Sequence, residues 1–260
     1  MMSRWMLAAA GLLLIGSPAA ASPTRDTDYL VPRPKAGEHF SNVYSIASST
    51  KADGFDEVVR RNSGSADYAM VQASADGVLT IDATSVYDGS PIHHGQSKIS
   101  DGGATVCGKD HCRTYTDASG LTYNRLMWGP PPAALKAGMI WTVAMAQPWE
   151  LGPPGVQTVT VVHVDDTDGT VTLKREGTAA GAFADEPATT TLTKDGQSIK
   201  LDVTPGQAHW VGYTVFRHGI VLSDELLVTR ADRFNSKETG WINATRRRYM
   251  LLNAAPYPTL

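Results

Sequence analysis

Between Leu79 and Tyr87 the chain alternates, with Leu79, Ile81, Ala83 and Tyr87 on one parity and Thr80, Asp82 and Thr84 on the other. A period of two belongs to a half-buried β-strand, which turns one row of side chains to a core and the next to water. Runs at Phe40–Ala47, Phe55–Arg61 and Tyr68–Ala73 predict further strands. Val161-Val162 and Leu226-Leu227-Val228 are apolar at consecutive positions, so those strands are expected to be central and covered on both faces.

The strands are expected to fold back on one another. Asp-Gly occurs six times, at 53–54, 76–77, 88–89, 101–102, 168–169 and 195–196, and this pair favours hairpins because both residues tolerate positive φ. The clearest hairpin is Thr191–Leu201 around Asp195-Gly196, and a second joins Trp210–Arg217 to Ile220–Val228 through His218-Gly219. Helical pattern is scarce after the first residues; only Pro131–Lys136 has room for a turn, which Gly138 would end. The expected fold is therefore all-β, a curved antiparallel meander forming a half-barrel or barrel, with a sandwich as the alternative. No glycine-rich phosphate loop or strand-helix alternation points to a nucleotide-binding fold.

Residues 128–164 hold three of the six tryptophans, Trp128, Trp141 and Trp149, among Pro130, Pro131, Pro132, Pro148, Pro153 and Pro154. Indoles are the largest carriers of buried apolar area, and prolines fix the bends between strands. A subdivision near 129–132 is conceivable, but one β-rich unit over 39–260 is the simpler organisation, preceded by a Pro-containing extended leader over 22–38.

Residues 1–21 have the layout of a secretory signal peptide: Arg4, an apolar run from Trp5 to Ile15, Gly16-Ser17-Pro18, and Ala19-Ala20-Ala21 as the cleavage site. The apolar run is too short for a bilayer, which needs about 20 residues, so the mature chain is expected without a transmembrane segment, in the periplasm or secreted. Removing residues 1–21 takes away Arg4 and no acid, so the formal net charge moves from −3 to −4. That balance offers no basic footprint for nucleic acid.

Cys107 and Cys112 are the sole cysteines. In an oxidising compartment a disulfide across CGKDHC is expected, against a zinc site that would recruit His111 and perhaps His93 and His94 but lacks the regular spacing of zinc motifs. His93-His94 is read as part of a polar loop after Pro91. Asp165-Asp166-Thr167-Asp168-Gly169 fails the calcium-loop pattern, because Val164 and Arg175 stand where acids are needed, and reads as a hairpin turn. Ser48-Ser49-Thr50-Lys51 has an acyl-enzyme spacing without its companion motifs and reads as a loop. Arg246-Arg247-Arg248 is expected on a solvated edge strand, with the middle arginine pointing away from the other two. Asn243-Ala244-Thr245 fits a glycosylation acceptor, of consequence only in a eukaryotic secretory pathway.

Leu135, Gly138, Trp141, the runs Gly169–Leu173 and Arg175–Gly177, and Gly206–Gly219 together resemble secreted bacterial β-proteins whose sheets are similar to the curved half-barrels of periplasmic lipoprotein carriers. The likeness covers about residues 128–230. It implies the fold and the handling of an apolar ligand, and it brings no catalytic residues. The expected function is thus a non-enzymatic envelope protein that binds a lipid-like ligand or a partner protein. Trp128, Trp141, Trp149 and Trp210 would border a concave sheet, with Glu150 and His209 as polar groups at its rim. The alternatives are a hydrolase using Glu150 with a nearby histidine, since an acid among tryptophans can have a raised pKa, and a structural or assembly component. No cofactor or metal is expected.

Overall fold

A computed structural model describes residues 37–73, 78–88, 91–100, 103–108, 111–115, 134–145, 152–183, 186–217 and 220–255. The expected signal peptide, most of the leader, and the division near 129–132 lie outside them. The described residues form strands β1 (His39–Ala52), β2 (Val58–Ala73), β3 (Leu79–Tyr87), β4 (His93–Ser100), β5 (Gly103–Cys107), β6 (Cys112–Tyr115) and β7 (Ile140–Met145). They continue with β8 (Gly155–Asp165), β9 (Thr170–Ala180), β10 (Thr189–Lys194), β11 (Gln197–Thr204), β12 (Gln207–Arg217), β13 (Ile220–Ser236) and β14 (Gly240–Ala255).

All fourteen belong to one sheet with the order β6-β5-β4-β3-β2-β1-β14-β13-β12-β9-β8-β7, and β10 and β11 branch from the far end of β13. Two meanders are joined where β1 pairs antiparallel with β14, the first and last strands described. The sheet is curved but does not close: among the described residues β6 and β7 are the two ends of its path. It is not a closed barrel.

The turn chemistry is as expected where it is described. Asp195 and Gly196 take φ of 50° and 77° between β10 and β11. Asp165–Gly169 is a hairpin turn in which the Thr167 and Thr170 amides donate to the Asp165 and Asp168 carboxylates. β12 and β13 pair up to Arg217 and Ile220, on either side of His218-Gly219. Cys107 and Cys112 are opposite one another on β5 and β6 and are disulfide-bonded.

Several expectations are corrected. Phe55–Arg61 and Tyr68–Ala73 are not two strands with a gap, because β2 runs unbroken through polar Asn62-Ser63-Gly64-Ser65, held by full antiparallel pairing to β1. Ser48-Ser49-Thr50-Lys51 is no loop; it is the end of β1, and its period of two sends Ser48 and Lys51 to opposite faces. His93 and His94 begin β4 instead of lying in a loop, and both are exposed. Of the segment with room for a helical turn, Pro131–Lys136, residues 131–133 lie outside the described residues; after it the Met139 amide bonds the Lys136 carbonyl and Gly138 turns the chain at φ 83°.

The registers align the inward-facing residues in rows across the strands. One row reads Arg60, Ser48, Arg248, Val228, Trp210, Gly177, Gln157 and Val143 from β2 to β7; the next reads Asn62, Ile46, Met250, Leu226, Gly212, Arg175, Val159 and Trp141. The main core occupies this face over β7–β9 and β12–β14, joined by Leu135 and Phe183 from the connections. Burying each such Val, Leu or Met contributes about 1.5–3 kcal/mol. A second, small core of Ala52, Leu192, Leu201, Phe234 and Ala244 lies where β10–β11 meets the tip of β13–β14.

The other face is solvated, which corrects the expectation of double coverage. Val161 is 1% exposed but Val162 is 48%, and Leu226 and Val228 are 1% but Leu227 is 42%. A single-layered sheet buries one parity only, whatever the residue type at the other. Nor is β14 an edge: it lies between β1 and β13, where Arg246 and Arg248 face inward and Arg247 outward, as the alternation of a strand demands.

Two glycines let large side chains lie flat across neighbouring strands of the inner face. The Trp210 ring covers Gly177 and the Tyr44 ring covers Gly64. A methyl group at Gly177 would overlap the Trp210 ring, and one at Gly64 would come within 2.6 Å of the Tyr44 hydroxyl oxygen. Glycines at such points also ease the bending of a sheet towards its packed side.

Candidate functional site

Of the expected ligand-binding residues, Trp128, Trp149 and Glu150 lie outside the described residues. Trp141 on β7 and Trp210 on β12 both face inward, at 9% and 2% exposure. The Trp210 indole N–H donates to Gln157 Oε1 at 3.2 Å, so this buried donor is satisfied within the sheet. His209, one residue along β12, faces outward and is exposed. The structure thus brings the two tryptophans to one face and does not bring His209 to them.

Two charged assemblies interrupt the inner face. Arg175 Nη2 contacts both carboxylate oxygens of Asp224 at 2.7 and 2.6 Å, and the Thr214 hydroxyl donates to Asp224 at 2.7 Å. Arg175 and Asp224 are fully buried. Burial pushes the Asp224 carboxyl above its usual range, against the opposing pull of the Arg175 charge and the Thr214 and Arg175 hydrogen bonds.

The second assembly clasps the β9–β10 connection. Arg230 on β13 bonds Asp232 through Nε and Nη2 at 2.6 and 2.8 Å, and Glu186 through Nη1 and Nη2, both at 2.7 Å. Arg246 on β14 also pairs with Glu186, and with Asp232 at 3.2 Å. The Phe183 ring lies under two guanidiniums, 4.1 Å from Arg230 and 4.3 Å from Arg248. Burial opposes the Glu186 charge, but the Arg230 hydrogen bonds and charge, the Phe183 amide and the Arg246 charge together hold its carboxyl below the usual range. Burial lowers Arg246, with the like charges of Arg230 and Arg60 acting in the same sense against the pull of Glu186 and Asp232.

The inner face changes character at β1 and β2. Arg60 and Asn62 are exposed, while Ser48, Ile46 and Arg248 are half-buried. Ile46 packs against the main core. This is where the apolar interior meets water. Among the described residues no group of three or more His, Cys, Asp or Glu could hold a metal ion, and no helix is long and apolar enough to cross a membrane.

The sequence concealed this boundary because Arg60 and Asn62 lie in a polar run that interrupts the alternation. One signal was available for the buried charges: Arg175 shares parity with Leu173 and Val171, and Arg230 with Val228 and Leu226, so both arginines fall on core positions. No protein-family model matches the chain, and no curated protein matches it.

Proposed function

We propose that the chain is an exported, non-enzymatic envelope protein that carries an apolar, lipid-like ligand on the inner face of its curved sheet. The observation that carries this reading is Ile46, half-buried on the open side of the inner face and packed against the main core. An apolar chain entering over β1 and β2 would extend an existing hydrophobic surface. Trp141 and Trp210 then form the wall behind the ligand. The resemblance to periplasmic lipoprotein carriers supports the same reading, as does the disulfide, which suits an oxidising compartment.

The hydrolytic alternative has its carboxylate, Glu150, outside the described residues and His209 on the opposite face of β12 from the core. The partner-protein alternative draws on the outer face, where Val211, Leu227 and Tyr249 are exposed in one cross-strand row. Native mass spectrometry of protein purified gently from its own compartment separates the readings. A carrier retains an adduct of lipid mass and takes up added dodecanol. Recovery of the bare chain that takes up no dodecanol would contradict it, and recovery with a second polypeptide alone would favour the partner.

A further inference from the structure

Leu201, Phe234 and Ile242 turn into the small core at the tip of β13–β14, so the alternation of their strands sends Asp202, Asn235 and Trp241 to the opposite face. The registers set these three in one line with Thr189, across four strands: Thr189 pairs with Asp202, Asp202 with Asn235, and Asn235 with Trp241. Trp241 is 55% exposed and belongs to neither core. Asp202 is exposed as well, and Thr189 and Asn235 are half-buried. The Arg233 guanidinium lies over one face of the indole, 4.7 Å from the ring centroid. A ring covered on one face and still more than half exposed has its other face open.

We infer that the row Trp241, Asn235, Asp202, Thr189 binds a neutral, β-1,4-linked glycan chain. The open indole face carries the negative side of the ring quadrupole, which attracts the polarised C–H groups on the face of a pyranose. The side chains that follow in the row are a carboxamide, a carboxylate and a hydroxyl, which between them donate to and accept from sugar hydroxyls. Three strand spacings separate β14 from β10, about 14 Å between backbones, so the row is long enough for more than one ring. A β-1,4 chain of equatorial hexopyranoses is straight and flat: it offers apolar C–H faces to an aromatic platform and hydroxyls at its edges to a line of polar groups. An α-1,4 chain curves and cannot follow a straight row. Stacking on Arg233 fixes the indole in advance, which lowers the entropy lost on binding. This site lies on the opposite face from the carried ligand and does not rest on the carrier reading.

The experiment is calorimetric titration of the full exported chain with cellotetraose, chitotetraose and the α-linked maltotetraose. At least one of the two β-linked tetrasaccharides is expected to bind saturably, about tenfold or more tightly than maltotetraose. Their order tells whether the row reads a hydroxyl or an acetamido group. Trp241→Ala is expected to weaken that binding about tenfold or more and to leave the melting temperature unchanged, because the indole is in neither core. Trp241→Phe keeps a platform and should retain part of the affinity, and Asp202→Ala, at an exposed position, should weaken binding about threefold or more with the platform intact. Absence of saturable binding to both β-linked tetrasaccharides, maltotetraose binding as tightly as they do, or an affinity that survives both Trp241→Ala and Asp202→Ala would overturn the proposal. Any of these outcomes leaves the carrier reading, which dodecanol binding tests, where it stood.

Discussion

The indole N–H of Trp210 reaches Oε1 of Gln157, 3.2 Å away and two strands distant, by passing over Gly177 on the strand between them. The three residues form one line across β12, β9 and β8. Each depends on the others: the ring needs a position without a side chain beneath it, and its buried donor needs an acceptor at the far end.

Gly177→Ala is accordingly expected to destabilise the protein by about 1–3 kcal/mol, the usual range for overpacking a core. In a Trp210→Leu background the same substitution should cost less, because the shorter side chain no longer covers residue 177. Urea unfolding of the two single variants and the double variant gives the coupling energy directly. Additive costs would show that the ring and the glycine are independent.

The Arg175–Asp224 pair makes a different kind of prediction. Removing one partner leaves a buried charge uncompensated, so Asp224→Leu is expected to cost about 3–5 kcal/mol. The double variant Arg175→Met/Asp224→Leu should be more stable than Asp224→Leu alone, since no charge is then left behind. Denaturant midpoints of the three proteins test this, and a double variant weaker than the single would contradict it.

Glu186 gives the sheet a dependence on pH. Its folded-state carboxyl titrates below the usual range, so the stability it contributes is fully present above the ordinary carboxylate pKa and is lost as pH falls through the lowered folded value. Asp224 shifts the other way and contributes with opposite sign, losing stability as pH rises from its ordinary value to its raised one. The difference between wild type and Glu186→Gln isolates the first effect. Melting temperatures should differ at neutral pH and converge in acid; a constant difference across that range would show that the clasp on Arg230 and Arg246 is not electrostatic.

Much of the fold could be read from alternation and turns. Leu79 to Ala83 and the Asp195-Gly196 hairpin announced themselves because each satisfies a local rule that needs no knowledge of the rest. What stayed hidden depended on long-range pairing. The polar middle of β2 is a strand only because β1 and β3 flank it, and β14 is central only because β1 returns to meet it from the start of the described chain. Leu227 and Val162 misled for a related reason: a consecutive apolar run suggests cover on both faces, yet this sheet has one layer. The candidate site was still less legible, since a row such as Arg60, Ser48, Arg248 exists only once three strands are in register.

The most direct measurement is a titration with dodecanol of wild type, Ile46→Asp and Val43→Asp. Ile46 and Val43 lie three positions apart on β1 and face opposite sides, Ile46 packed against the core and Val43 46% exposed. Circular dichroism would establish that all three are folded. Saturable binding to wild type and Val43→Asp, weakened about tenfold or more in Ile46→Asp, is the result expected if a charge placed against an apolar chain costs at least 1.4 kcal/mol. Saturable binding that Ile46→Asp leaves unchanged, or no binding to the wild-type protein, would contradict a ligand site on the inner face of the sheet.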